Sequence, residues 1–163
     1  MMKDAVETAI KMETDAITFY QEAIKNTSHP FGKEMFSGFV KDETRHLKML
    51  QDMFKGLDIT VELVRPRDTI KTVFSELKDE MMKRVKALDN EMEAINIALK
   101  FEKEGFDFYK NAVATAGTPK EKELFDELAL EENDHYTILL ETYKFLDNTG
   151  HWYMYEERGI LEG

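Results

Sequence analysis

Four carboxylates and two imidazoles stand at spacings that would let them share one buried centre. The stretch KDETRHLKML, residues 41–50, places Glu43 and His46 on the inward stripe of a helix whose apolar residues Phe36, Phe39, Val40, Leu47 and Leu50 recur at helical spacing. The stretch EENDH, residues 131–135, repeats the arrangement with Glu132 and His135. Glu13 and Glu102 each lie on a further apolar stripe. Burying such groups unpaired costs roughly several kcal/mol for each ion, so something must neutralise them. Two divalent metal ions would cancel the charge of four carboxylates.

The six residues are related to one another by an internal repeat. Adding 89 to any position between 9 and 57 often returns the same or a similar residue without a gap: AIKMETDAITFYQEA falls on ALKFEKEGFDFYKNA, and KEMFSGFVKDETRH on KELFDELALEENDH. About fifteen of the forty-nine aligned positions are identical. Among them are the pairs Glu13/Glu102, Tyr20/Tyr109, Glu43/Glu132 and His46/His135. A Glu-x-x-His pair from each of two helices, with one Glu from each of two others, is the ligand set of di-iron and di-manganese carboxylate bundles. A single Glu-x-x-His in a chain so rich in Glu would be weak evidence; two related by the repeat are not. Tyr20 and Tyr109 lie two turns beyond their Glu on the same face, where a buried phenol needs a partner and a ligand carboxylate would supply one. The other two histidines, His29 and His151, read as solvated loop residues, and Met12, Met35, Met49 and Met53 as core filling.

The elements that must position these side chains are helices throughout. The first spans about 2–27, with Val6, Ala9, Glu13, Ala16, Ile17 and Tyr20 on one face. The second spans about 30–56, with Pro30 at its first position. DITVELVRPRD then reads as extended, and Thr69 starts a shorter helix to about 87. Asn90, with Glu93 three residues on, is expected to cap the third bundle helix, and Thr118-Pro119-Lys120-Glu121 opens the fourth with a capping box. The expected fold is therefore all-α: a four-helix bundle of two repeated hairpins over 1–147, joined by a long crossover at 57–89, with a tail at 148–163.

Composition narrows the classes. The 163 residues, 42% of them apolar, suit one well-buried core. A net charge of -11 argues against nucleic acid or an anionic membrane as partner. No run approaches the length of a spanning helix. The absence of cysteine removes thiolate sites and disulfides, and it suits a reducing compartment, so a soluble cytoplasmic protein is expected. Any metal must bind through oxygen and imidazole, which favours iron or manganese, although zinc can occupy such a site in a purified sample.

The pattern Glu13, Glu43-x-x-His46, Glu102, Glu132-x-x-His135, with Tyr20, Tyr109 and the long crossover, resembles the rubrerythrin branch of the ferritin-like superfamily. The resemblance implies a left-handed four-helix bundle holding two iron ions, reacting with hydrogen peroxide or dioxygen in oxidative-stress defence, often as a homodimer. One ion is then expected on Glu13 and His46 and the other on Glu102 and His135. Glu43 and Glu132 would bridge both, with Tyr20 and Tyr109 steadying the bridges and supplying protons. Two departures stand out. Rubrerythrins end in a four-cysteine rubredoxin domain, so a chain without cysteine needs an external electron donor such as a rubredoxin. They also carry a further Glu one turn after the third-helix ligand. Here that position is Gly105, with Ala16 as its mate in the repeat, so weaker peroxide chemistry is expected. Other classes with the same bundle are an iron-oxidising storage protein, a di-metal oxidase of organic substrates and a metal-free structural bundle. A storage cage usually adds a fifth helix, for which GHWYMYEERGILEG is short and broken by glycine.

Overall fold

A computed structural model describes residues 2–154 and contains five helices among them. They are α1 (Met2–Asn26), α2 (Pro30–Phe54), α3 (Pro66–Glu76), α4 (Asp89–Thr115) and α5 (Pro119–Thr149). The two hairpins, α1 with α2 and α4 with α5, pack along their lengths, and α1 meets α4 across the bundle. None of these helices is long and apolar enough to cross a membrane.

Local chemistry sets most boundaries. Thr118 caps α5 by accepting the Glu121 N–H at 3.2 Å, while the Glu121 carboxylate accepts the Thr118 N–H at 3.1 Å. The helix ends at Gly150, whose φ of 79° is the left-handed conformation that closes a C-terminus without a Cβ clash. Three boundaries differ from the sequence expectation. α3 begins at Pro66, because Arg65 is held extended and proline is already set for the first helical turn. It also stops at Glu76 rather than near 87: Ala87 N–H bonds Gly150 O at 2.9 Å and Trp152 N–H bonds Val85 O at 2.7 Å, so residues 85–87 are extended against the tail. The cap of α4 lies at Leu88 rather than Asn90, with the Glu91 carboxylate accepting the Leu88 N–H at 2.9 Å.

His29 and the tail carry a further correction. His29 is fully buried, not solvated. Its Nδ1 caps α2 by accepting the Phe31 N–H at 3.0 Å, and its ring stacks on Trp152 with centroids 5.3 Å apart. Glu91 holds this corner together by accepting from Ser28 N–H and Oγ–H and from Trp152 Nε1–H. His151 is half-buried, its Nε2 taking a hydrogen bond from Arg84 at 3.1 Å. The last nine residues of the tail, on which the fifth-helix argument partly fell, lie outside the described residues.

The core has two apolar clusters with a polar layer between them. One contains Tyr20, Phe36, Phe39, Ile95 and Ile138, and the other Val6, Leu50, Tyr109, Phe125 and Leu128. The repeat is visible in their packing: Tyr20 stacks on Phe36 at 5.7 Å and 27°, and Tyr109 on Phe125 at 6.1 Å and 21°. Of the four methionines expected to fill the core, Met35 and Met49 are buried, while Met12 and Met53 are half-buried.

Candidate metal centre

Each bundle helix delivers its part of the polar layer from one face. α1 carries Glu13, α2 carries Glu43 and His46, α4 carries Glu102, and α5 carries Glu132 and His135; all six are at most 3% exposed. They form two clusters, Glu13–Glu43–His46–Glu132 and Glu43–Glu102–Glu132–His135, in each of which one ligand atom per residue lies within 4.8 Å of the others. Glu43 and Glu132 belong to both. The Nδ1 of His46 lies 3.5, 3.3 and 3.4 Å from oxygens of Glu13, Glu43 and Glu132. The Nδ1 of His135 lies 3.4, 3.3 and 3.8 Å from oxygens of Glu43, Glu102 and Glu132.

The imidazoles are oriented from behind by acids on the opposite hairpin. His46 Nε2–H donates to Glu131 at 2.9 Å, and His135 Nε2–H donates to Asp42 at 2.8 Å. A carboxylate on Nε2 fixes the proton there and leaves the Nδ1 lone pair facing the carboxylates. Arg45 bonds Glu131 through both terminal nitrogens and also reaches Asp42 at 3.4 Å, so one guanidinium ties the two acids together. The phenols cross the bundle likewise: Tyr20 donates to Glu102, and Tyr109 to Glu13 at 2.5 Å. This corrects the expectation that the tyrosines steady Glu43 and Glu132; they hold the two carboxylates that each belong to a single cluster.

Asp42 and Glu131 were not among the expected residues. The signal was present, because 42 and 131 are also separated by the repeat of 89 and each precedes the Glu of a Glu-x-x-His. Arg45 has Asp134 as its mate in the repeat and could not have been found this way.

The atoms left without hydrogen bonds test whether metal suits the site. Glu13 Oε2, Glu43 Oε1, Glu102 Oε2, His46 Nδ1 and His135 Nδ1 are all buried and unpartnered. Unpaired lone pairs converging at this density are costly without a cation. The protonation pattern agrees. Burial, reinforced by the surrounding carboxylates, pushes Glu43 and Glu132 well above the usual carboxyl range. Burial opposes charge on the two imidazoles and on Glu13 as well. The facing Glu13 and Glu102 nevertheless raise His46 and His135 well above the ordinary value, and His46 brings Glu13 down to about 2. Protons thus compete with cations for this layer. The residues fit a dinuclear centre in a layer where two divalent ions would balance four carboxylates.

Gly105 faces this layer: a Cβ placed on it would lie 3.6 Å from Cγ and Cδ of Glu132. Together with Ala16 it borders a cavity of about 100 Å³ between α1 and α4, whose floor is Glu13, Glu43, Glu102 and Glu132.

Comparison with known proteins places this arrangement among relatives. A family model described as rubrerythrin matches residues 4–143. A hypothetical protein from Pyrococcus furiosus has a similar structure, with a TM-score of 0.69 and 21% identity over 91% of each chain, a likeness of fold. No curated protein matches the sequence.

Proposed function

Because the chain belongs to the rubrerythrin family, we propose that it is a dinuclear non-haem iron protein that reduces hydrogen peroxide, or dioxygen, with electrons from an external donor protein such as a rubredoxin. Manganese is the alternative metal for so oxygen-rich a ligand set. The observation that carries the reading is the pair of buried clusters sharing Glu43 and Glu132. In the proposed assignment Glu13 and His46 hold one ion, Glu102 and His135 the other, and the two shared carboxylates serve both.

Two bound ions would supply one electron each, which is what the conversion of peroxide and two protons to two waters requires. The chain's own residues set the conditions for this. Asp42 and Glu131 keep both Nδ1 lone pairs turned inward, and Arg45, bonded to both acids, holds them in place. Burial, together with Glu102 and Glu13, pushes the Tyr20 and Tyr109 phenols well above their usual range, so they stay protonated and act as fixed donors. Packed aromatic residues lie on both sides of the layer and hold its ligand-bearing turns in place. We include a homodimer in the proposal, on the length of the crossover; a monomer in sedimentation at micromolar concentration would remove that part.

The test begins with anaerobic titration of the metal-free chain with ferrous iron, which should saturate near two ions. Saturation at one would end the dinuclear reading. The reduced protein is then mixed rapidly with equal concentrations of peroxide or dissolved oxygen, and oxidation of the iron is followed by absorption. Peroxide should react faster. Oxygen reacting as fast or faster would replace the peroxidase assignment with an oxidase or iron-handling one.

A further inference from the structure

We infer that the cleft between α1 and α4 over Ala16 and Gly105 is the port through which both metal ions and a small oxidant reach the carboxylates, and that the missing side chain at 105 keeps it open. This rests on the dinuclear reading and adds the route and the size limit.

The site is closed elsewhere by its own supports. Behind the imidazoles stand Asp42, Arg45 and Glu131, and Phe39 packs on the His135 ring at a centroid distance of 4.3 Å. Tyr20 and Tyr109 are fully buried toward the two apolar clusters. The α1–α4 side differs: its cavity has all four carboxylates in its lining and neither histidine. Glu13 Oε2, Glu43 Oε1 and Glu102 Oε2, all unpartnered, belong to that lining. The two narrowing positions are related by the repeat and both are small. Gly105 lines the cavity, and a Cβ there would make only ordinary van der Waals contact, with Glu132, so a side chain at this position starts at the cavity wall without a clash.

The lining is acidic from its buried floor to its exposed residues. Asp15 and Glu104, again 89 apart and both exposed, border the cavity, as do the half-buried Met12 and Phe101. Acids at a narrow low-dielectric mouth raise the local concentration of cations and accelerate their capture. A volume of about 100 Å³ admits a few molecules the size of water. That suits a metal ion, peroxide or dioxygen, and is too small for an organic substrate of any bulk.

The experiment follows metal uptake, not turnover. Metal-free protein is mixed with cobalt(II) chloride, and the visible absorption of bound cobalt gives the rate and the final stoichiometry. Gly105→Leu should take up cobalt at least tenfold more slowly than the wild type and still reach two ions per chain. It should also slow the spectral response of the loaded protein to azide. Uptake within twofold of the wild-type rate would overturn the port. If Gly105→Leu instead loses stoichiometry, the decision passes to Asp15→Asn combined with Glu104→Gln, two exposed positions that leave packing intact. That variant should bind cobalt several-fold more slowly at low ionic strength, with a flatter salt dependence, and admit the azide anion faster. Unchanged rates for both probes would overturn the port. A wild-type chain that never binds two ions would instead defeat the dinuclear reading itself.

Discussion

At the metal centre every orienting hydrogen bond crosses from one hairpin to the other: His46 to Glu131, His135 to Asp42, Tyr20 to Glu102 and Tyr109 to Glu13. Removing the charge behind one imidazole should therefore act on one half of the site. Glu131→Gln is expected to weaken the ion on His46, and Asp42→Asn the ion on His135, each by about 10- to 100-fold. Stepwise cobalt titration measures this; equal weakening of both ions in each variant would contradict the pairing. The protonation state gives a second expectation. Glu43, Glu132, His46 and His135 all have raised pKa values without metal, so protons compete with an ion for the same atoms. Metal binding should release protons, and affinity should fall as pH is lowered. Calorimetric titration in buffers of different ionisation enthalpy would show the release as a buffer-dependent heat, and no dependence would refute it.

Among the elements, the junction of α1, α2 and the tail is where small changes should be felt most. Gly32 lies in the first turn of α2, and a Cβ there would come within 2.6 Å of Thr27 Cγ2 and 2.7 Å of Trp152 Cη2. Gly32→Ala gains helix propensity but overpacks a ring that cannot yield, so a net loss of about 1–3 kcal/mol in urea unfolding is expected. His29 makes the same junction sensitive to acid. Burial brings its pKa down to about 4, despite the nearby Glu91 carboxylate, and its Nδ1 can accept the Phe31 N–H only when neutral. Between pH 6.5 and about 4 the unfolded chain binds a proton at this position and the folded chain does not, so stability falls as pH drops through that window. The contribution is on the order of 1–3 kcal/mol. His29→Asn, which can still cap, should unfold with a shallower acid slope over the same range; an unchanged slope would assign the acid sensitivity elsewhere.

For the whole molecule, the metal centre lies on the interface between two hairpins and its ligands come from both, so ions should act as a clasp. Loading should raise the melting temperature and keep raising it as free metal increases above the dissociation constant, as ligand linkage demands. Hydrogen exchange should slow most in the turns of α1, α2, α4 and α5 that carry the six ligands, and α3 should change least. Equal protection throughout the chain would show that metal merely tightens a bundle already closed.

The division between sequence and tertiary structure follows from the range of the interactions involved. Helical periodicity, the helix starts marked by Pro30 and Thr118 and the repeat of 89 are written along the chain, and from them came the paired hairpins and the six inward Glu and His residues. Each of those signals is local or is a comparison of the chain with itself. The end of α3, the burial of His29 and the partners of the tyrosines are not local. Residues 85–87 are extended rather than helical because the tail supplies their backbone partners, and His29 is buried because Trp152 arrives from the far end of the described chain to stack on it. Tyr20 and Tyr109 each reach across to the other hairpin, where distance in space, not spacing in sequence, decides which carboxylate takes the phenol proton.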